Sequence, residues 1–395
     1  MKLLKHAAKF NKICKNYIMY KRALDISNVL NRKSLFLFGA RQVGKTTFVK
    51  KCYPDAIYYD LLSSNTFREL SANPELIAQR AKDNQVIIID EIQMLPTLLN
   101  EAQRVIVNRP SVRFIFTGSS ARKLKEKGAN LLGGRATEKW LGPLVASELN
   151  FERLFDRLNR GGLPQVLDSV DPGADLKDYI SLYLQQEIQF EGLVRNIESF
   201  TRFLPIAALC NGKQINFTEV ANDCQVSPHI LREYFQILLD TFTGIMLPAY
   251  QKTKKRKPVA SAKFYLFDVG VAHSLLKRGT IEPGTELFGD ALEHLIILEI
   301  KAYLAYNNKE EELTYWRSTS KIEVDVVIGD RIGIEIKGKS LAQEKDAKGL
   351  LALSEEVPLQ RKIIIANEET PRVLNSGVEV LPIEHFLREL WAGKI

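Results

Sequence analysis

A chain of 395 residues, 45% of them hydrophobic, is too long for one comfortable core and is expected to divide into two or three domains. Lys and Arg number 55 against 47 Asp and Glu, a formal charge of +8. No run approaches the roughly eighteen apolar residues of a membrane-spanning helix, and Cys14, Cys52, Cys210 and Cys224 are scattered without metal-ligand or disulfide spacing, so a transmembrane protein and a zinc module are excluded and a cytoplasmic location is the expectation.

The first fifty residues carry twelve basic side chains and one acid, Asp25. Residues 1–30 are expected to form a basic helical cover. A short apolar run, Ser34-Leu35-Phe36-Leu37-Phe38, reads as a buried parallel strand. It leads at once into Gly39, Ala40, Arg41, Gln42, Val43, Gly44, Lys45, Thr46 and Thr47, the GxxxxGK[ST] spacing of a phosphate-binding loop. In such a loop the backbone amides wrap a phosphate chain, Lys45 reaches the outer phosphates, Thr46 ligates Mg²⁺, and the helix that follows points its N-terminus at the anion.

Four apolar residues, Val86-Ile87-Ile88-Ile89, end in Asp90 and Glu91. Asp90 at the strand tip suits a magnesium ion, and Glu91 suits the activation of a water. A third strand, Arg113-Phe114-Ile115-Phe116-Thr117, runs into Gly118-Ser119-Ser120, where Ser119 is the first choice for contact with a γ-phosphate or the attacking water. Arg135, after Leu131-Leu132-Gly133-Gly134, is an arginine on a glycine loop that can neutralise charge on a transferring phosphoryl group. These parts predict a parallel sheet with crossover helices over residues 30–150, with ligand at the carboxyl ends of its strands.

Gly161-Gly162-Leu163-Pro164 breaks the chain, and 151–198 reads as a helical lid or connector, with Leu182, Leu184, Ile188 and Phe190 as its packing positions. Residues 199–270 read as three short helices and a hairpin, a winged-helix pattern. Asn216 caps the second helix, and Ser227 with Pro228 opens the third. The basic run Lys252, Lys254, Lys255, Arg256 and Lys257 lies in the wing. Arg232 is expected to face a nucleic-acid groove while Lys254, Lys255 and Arg256 touch phosphates, unless the module serves protein packing instead.

In residues 271–395 an amphipathic helix over 290–304 carries Glu293 and Glu299 and precedes three strands. Asp325 lies within the second strand. Glu335 and Lys337 stand two apart and share a face of the third. Acids on paired strands can hold Mg²⁺ or Mn²⁺ while a lysine orients a water. The rival reading is a Glu335–Lys337 salt bridge on an exposed sheet face.

As a set, Arg41-Gln42-Val43-Gly44-Lys45-Thr46-Thr47, the strand ending in Asp90-Glu91, Phe116-Thr117-Gly118-Ser119-Ser120 and Gly134-Arg135 resemble the AAA-type P-loop ATPases of bacteria and archaea. Tyr265-Leu266-Phe267-Asp268-Val269-Gly270, Gly289 through Glu293, and Tyr315-Trp316-Arg317 with Glu323-Val324-Asp325 resemble the C-terminal domain that accompanies them. That domain in turn looks like the restriction-endonuclease fold, whose acid, Asp and Glu-x-Lys signature maps to Glu293, Asp325, Glu335 and Lys337. The resemblance implies an α/β multidomain protein: a P-loop sheet, a helical and winged-helix middle, and a restriction-endonuclease-like end. It implies phosphate and Mg²⁺ binding at Lys45 and Thr46, metal and water handling at Asp90 and Glu91, and action of Arg135 across a subunit boundary in a homo-oligomer. The expected activity is Mg²⁺-dependent ATP hydrolysis coupled to DNA, with metal-dependent nuclease activity at the C-terminus. The alternative is an ATP-dependent switch or scaffold that binds a protein partner and keeps a non-catalytic C-terminal domain.

Overall fold

A computed structural model describes residues 20–120, 122, 132–184 and 197–395. The first sheet is built from β1 (Ser34–Phe38), β2 (Ile57–Asp60), β3 (Val86–Asp90), β4 (Arg113–Gly118) and β5 (Ala136–Trp140) in the order β2-β3-β4-β1-β5. Every pairing is parallel. All residues of β1 are buried, because helices cover both faces of the sheet: α1 (Lys45–Cys52), α2 (Ser64–Ala72), α3 (Leu76–Arg80) and α4 (Leu98–Asn108). On one face Phe36 stacks on Phe116 with ring centroids 4.7 Å apart, and Phe114 continues the stack.

The basic helical cover expected over residues 1–30 is corrected where it is described. Residues 1–19 lie outside the described residues, and from Tyr20 to Leu30 only Ser27–Leu30 is helical. The segment before that turn is neither helix nor strand, and it buries Leu24 and Ile26 against the sheet domain. Arg22 fixes it there: Nη1 donates to Val43 O at 2.6 Å, Nη2 to Gly142 O at 2.7 Å and Nε to Glu148 at 2.9 Å.

The middle begins with α5 (Leu154–Arg160), α6 (Pro164–Leu167) and α7 (Pro172–Asp178). Leu182, expected to pack, is exposed, while Ile188 and Phe190 lie outside the described residues. Next come α8 (Ile197–Leu209), β6 (Lys213–Gln214), α9 (Phe217–Cys224), α10 (Pro228–Asp240), β7 (Gly244–Leu247) and β8 (Lys263–Leu266). Both expected caps form: Asn216 accepts from the Thr218 and Glu219 amides, and Ser227 from that of Ile230. The three helices are backed by the antiparallel sheet β6-β8-β7. Helix α11 (Val269–Leu275) follows and packs on α5 and α8, so the boundary expected at 270/271 falls inside a helix. Its N-cap Asp268 also accepts from the Gly162 amide at 2.7 Å. Gly161, in the left-handed region at φ +80°, leaves room for that carboxylate, which any side chain there would strike.

The C-terminal module is α12 (Glu286–Tyr306), β9 (Leu313–Arg317), β10 (Glu323–Ile328), β11 (Ile332–Lys337), α13 (Lys348–Ser354), β12 (Arg361–Ala366), β13 (Arg372–Val373), β14 (Glu379–Pro382) and α14 (Ile383–Trp391). Its sheet runs β13-β14-β12-β11-β10-β9. Among the described residues no helix is long and apolar enough to cross a membrane.

The basic run of the wing is tied down through its backbone, while the side chains of Lys254 and Lys255 stay exposed. The backbone amides of Lys254, Lys255 and Arg256 all donate to the Glu356 carboxylate. The Arg256 guanidinium pairs with Glu355 at 2.7 Å, and Lys252 pairs with Asp330 at 2.8 Å. The loop is a clip onto the C-terminal module, and Arg256 spends its charge there.

Glu299 on α12 has no exposed surface. It accepts from the Ala146 amide at 2.8 Å and from Trp391 Nε1 at 2.7 Å, and it is ion-paired with the buried Arg157 of α5. Breaking a buried pair from one side strands a charge, so Glu299→Ala is expected to cost about 3–5 kcal/mol. Urea unfolding measures the loss, and a midpoint within error of the wild type would show that the joint contributes nothing.

Candidate functional site

The sheet order explains how distant segments meet. Strand β4 lies between β1 and β3, so the residues after β1, β3 and β4 emerge side by side at the same edge of the sheet. The loop 39–47 leaves β1, Asp90 and Glu91 end β3, and Ser119 and Ser120 follow β4. The loop enters α1 through Gly44, whose φ of +92° is left-handed. That turn aims the helix N-terminus at the cleft, the arrangement that receives phosphate. The cleft has a volume of about 1070 Å³ and is lined by residues 41–48 and Glu91, by 20–25 of the N-terminal segment, and by Pro164, Gln165 and Asp168.

Lys45 is buried, and its Nζ donates to the carbonyls of Gly39 and Ala40 at 2.8 and 2.9 Å. The Thr46 hydroxyl donates to Asp90 Oδ2 at 2.8 Å. Two further hydroxyls converge on the same carboxylate: Tyr58 from β2 at 2.5 Å, and Thr117 from β4. Burial, then the hydrogen bond and charge of Asp90, push the Tyr58 phenol up, so it stays a donor. Hard oxygens from Thr46 and Asp90 at hydrogen-bonding distance, beside a helix N-terminus, fit a magnesium–phosphate group.

Glu91 sits in the left-handed region at φ 59°, a conformation that costs free energy for a residue with a side chain and that collects at functional sites. Its amide donates to Thr117 Oγ1 at 3.2 Å. Its carboxylate accepts from Gln93 Nε2 at 2.5 Å, and the same amide group reaches Ser119 Oγ at 3.1 Å. Gln93 thus bridges the two residues proposed to handle the water. Sequence reasoning missed Gln93, Tyr58, Thr117 and Arg22. Only Gln93 carried a local signal, standing two residues past the acidic pair.

Arg135 lies at the other end of the sheet. Its carbonyl accepts from the Ser34 amide at the start of β1, and its side chain is exposed. Five strand residues separate it from the phosphate loop, and it does not line the cleft as arranged here. Arg232 is exposed, 5.1 Å over the Phe217 ring. The same two helices, α9 and α10, also expose Glu219, Asp223, Glu233 and Gln236.

The C-terminal residues converge, but on amines. Lys337 Nζ lies 2.9 Å from Glu335 and 4.0 Å from Asp325, whose Oδ2 already accepts from the Ile336 amide. Glu335 is buried, which overturns the exposed-face reading. Burial, and next the Asp325 charge, push its carboxyl well above the usual range. Glu293 meets Lys263 at 3.2 Å and the Tyr265 hydroxyl at 2.6 Å, both from β8. Among the described residues no group of three or more His, Cys, Asp or Glu side chains is arranged to hold a metal ion. As arranged, amines and a backbone amide face Glu293, Asp325 and Glu335 at the expected Mg²⁺ or Mn²⁺ site.

Comparison with known proteins divides the chain similarly. Residues 31–150 match the family model of an AAA domain, and residues 151–282 and 288–386 each match a domain of unknown function (DUF8612 and DUF4143). An uncharacterized protein of Mycobacterium tuberculosis is 26% identical over 378 residues, covering 92% of this chain and 83% of its own length. One from Haemophilus influenzae is 25% identical over 253 residues, 57% of this chain and 60% of that protein. Among solved structures, the Aeropyrum pernix ORC1 protein in complex with DNA aligns at 13% identity over 63% of this chain and 87% of its own, with a TM-score of 0.26. A STAND ATPase with a tetratricopeptide repeat sensor from Pyrococcus horikoshii aligns at 16% identity over 74% of this chain and 48% of its own, again at 0.26. Overlaps this loose carry no argument about partners. The chain is an α/β multidomain protein with a nucleotide-binding, AAA-type domain.

Because Tyr58 orients Asp90 from outside the cleft, Tyr58→Phe should leave metal-free nucleotide binding intact and weaken magnesium-dependent binding by roughly 10–100-fold, as for other supporting partners of a ligand. Calorimetric titration with and without Mg²⁺ checks this, and equal affinities in both conditions would refute the role.

Proposed function

We propose that this chain is a magnesium-dependent ATPase that works as a switch on a protein partner. The observation that carries the reading is the convergence of Lys45, Thr46, Asp90, Glu91 and Ser119 after three adjacent strands, beside a cleft lined by Lys45, Thr46 and Glu91. The nucleotide would supply the phosphoryl group and magnesium the charge that balances it. Lys45 would neutralise the outer phosphates, and Thr46 and Asp90 would hold the ion. Glu91 would take a proton from the attacking water, with Gln93 and Ser119 setting its orientation. The wall formed by 20–25, Pro164, Gln165 and Asp168 is left for the nucleoside end.

Two joints support a switch. Arg22 touches the phosphate-loop carbonyl of Val43 and, at 3.4 Å, the Tyr306 hydroxyl at the end of α12. Tyr306 also accepts from the Gly142 amide at 3.0 Å. Movement of the loop is thereby passed to the C-terminal module. The DNA reading keeps the exposed side chains of Arg232, Lys254 and Lys255, but the exposed acids on the helices that carry Arg232 and the engagement of Arg256 favour the protein partner. Convergence of Glu293, Asp325, Glu335 and Lys337 supports the likeness to a restriction-endonuclease-like fold. With the amines in place, no cleavage step is assigned to it.

Lys45→Ala should abolish nucleotide binding. Glu91→Gln should leave binding intact and lower turnover by roughly 10²–10⁴-fold, the span of a lost general base. Unchanged ATP turnover in both variants would refute the assignment. Arg135→Ala should bind ATP normally and, if Arg135 serves a neighbour, lose about 10³-fold in rate, with wild-type activity per molecule rising with protein concentration. A rate that stays flat on dilution would remove Arg135 from the mechanism. Stimulation of turnover by duplex DNA that fades between about 50 and 200 mM salt would overturn the protein-directed reading in favour of DNA.

A further inference from the structure

Lys263 lies on β8, in the middle module, yet its side chain ends in the C-terminal one. It is 5% exposed. Its Nζ stands 2.7 Å from Glu323 of β10 and 3.2 Å from Glu293 of α12, and lies 5.2 Å from the centre of the Tyr315 ring. Tyr265, two residues on and so on the same face of the strand, gives its hydroxyl to the same Glu293 oxygen at 2.6 Å. A long, strongly hydrated amine is placed in such a pocket only at a large desolvation cost, which these carboxylates offset.

The strand that delivers the amine is itself anchored. His294, buried beside Glu293 on α12, pairs with the Leu266 carbonyl at 2.6 Å through Nε2 and with the Asn211 amide at 3.3 Å through Nδ1. Asn211 in turn accepts from the Leu266 amide at 2.9 Å. The far side of the centre is served by Lys337 on Glu335 and Asp325, and Arg317 takes the second oxygen of Glu323 at 3.1 Å. Four carboxylates, Glu293, Glu323, Asp325 and Glu335, thus meet three cationic side chains, Lys263, Lys337 and Arg317.

We propose that the amine of Lys263, carried in by the middle module, is the resident cation of this carboxylate centre, and that a divalent metal ion and this amine exclude one another there. A hard divalent ion needs about six oxygen ligands around it. Lys263 contributes none, pairs with Glu293 and Glu323, lies near enough to Asp325 to feel its charge, and repels a second cation at close range. The centre is then a charge joint between the middle and C-terminal modules, and its carboxylates become available to metal only when the amine is removed.

The test uses the nucleotide-free, full-length protein and Mn²⁺, read by the loss of the free-ion electron paramagnetic resonance signal and by thermal unfolding. Wild type should bind no Mn²⁺ that Asp325→Asn removes, and its melting temperature should not respond to Mn²⁺. Lys263→Met should melt lower, bind one Mn²⁺ at least about tenfold more tightly than any wild-type binding, and regain stability as Mn²⁺ is added. Adding Asp325→Asn should abolish both gains. Lys263→Arg keeps the charge and should remain metal-free. Should Lys263→Met not fold in metal-free buffer, refolding in Mn²⁺ reads the same competition: recovery supports it, and no recovery overturns it. The proposal also fails if wild type binds a Mn²⁺ that Asp325→Asn removes, if folded Lys263→Met binds no more than wild type, or if Lys263→Arg binds as Lys263→Met does. None of these outcomes bears on the ATPase assignment, which concerns a different cleft.

Discussion

An ionised carboxylate withdrawn from water must find a full set of donors, and Glu299 finds them on three separate stretches of chain. Its partners are the Ala146 amide just past the first sheet, Arg157 on the first middle helix, and Trp391 in the last helix. Removing any one leaves the others facing a charge without compensation, so the segments are committed to one another. A second buried pair, Arg22 with Glu148, repeats the arrangement beside the phosphate loop. Glu299 thereby ties the end of the first domain to the middle and C-terminal modules, and Arg22 holds the N-terminal segment against the phosphate loop.

The side chains beside the cleft are held as firmly. Asp90 would be a poor ligand if it were free to rotate, but Thr46, Tyr58 and Thr117 hold both of its oxygens. Glu91 is set by backbone as well as by side chain: the left-handed turn points it away from the strand and Gln93 fixes its end. Preorganised donors and acceptors of this kind cost little reorganisation when charge develops on a bound group. The strained turn at Glu91 is maintained because the surrounding contacts over-determine it.

Much of this was legible in the linear sequence, and the reason is locality. The phosphate loop, the apolar strands ending in acid or serine, and the caps at Asn216 and Ser227 each depend on residues a few positions apart, where spacing alone dictates geometry. The rest depended on pairings between residues far apart in the chain, which leave no period to read. Arg22 looked like one more basic residue near the N-terminus, though it meets Glu148 and Tyr306. The run containing Arg256 had the composition of a phosphate-binding wing, but Glu355 and Glu356 were positioned to claim it. The acids Glu293, Asp325 and Glu335 were read as one group; what composition could not disclose was that Lys263, from another module, pairs with Glu293. Arg135 was read from its glycine loop, whereas its distance from the cleft follows from the parallel pairing of β5 with β1.

The placement of β1 in the first sheet has a consequence for how the protein is made. Its two neighbours, β4 and β5, lie far downstream in the chain, and parallel pairs of this kind close long loops before any contact rewards them. During synthesis the strand that carries the phosphate loop must therefore wait, apolar on both faces, until residues 113–140 have left the ribosome. Arg22 waits longer still, until Tyr306 has emerged to complete its partners. The nascent chain exposes this apolar strand early and buries it late, which makes β1 a segment a chaperone would be expected to shield.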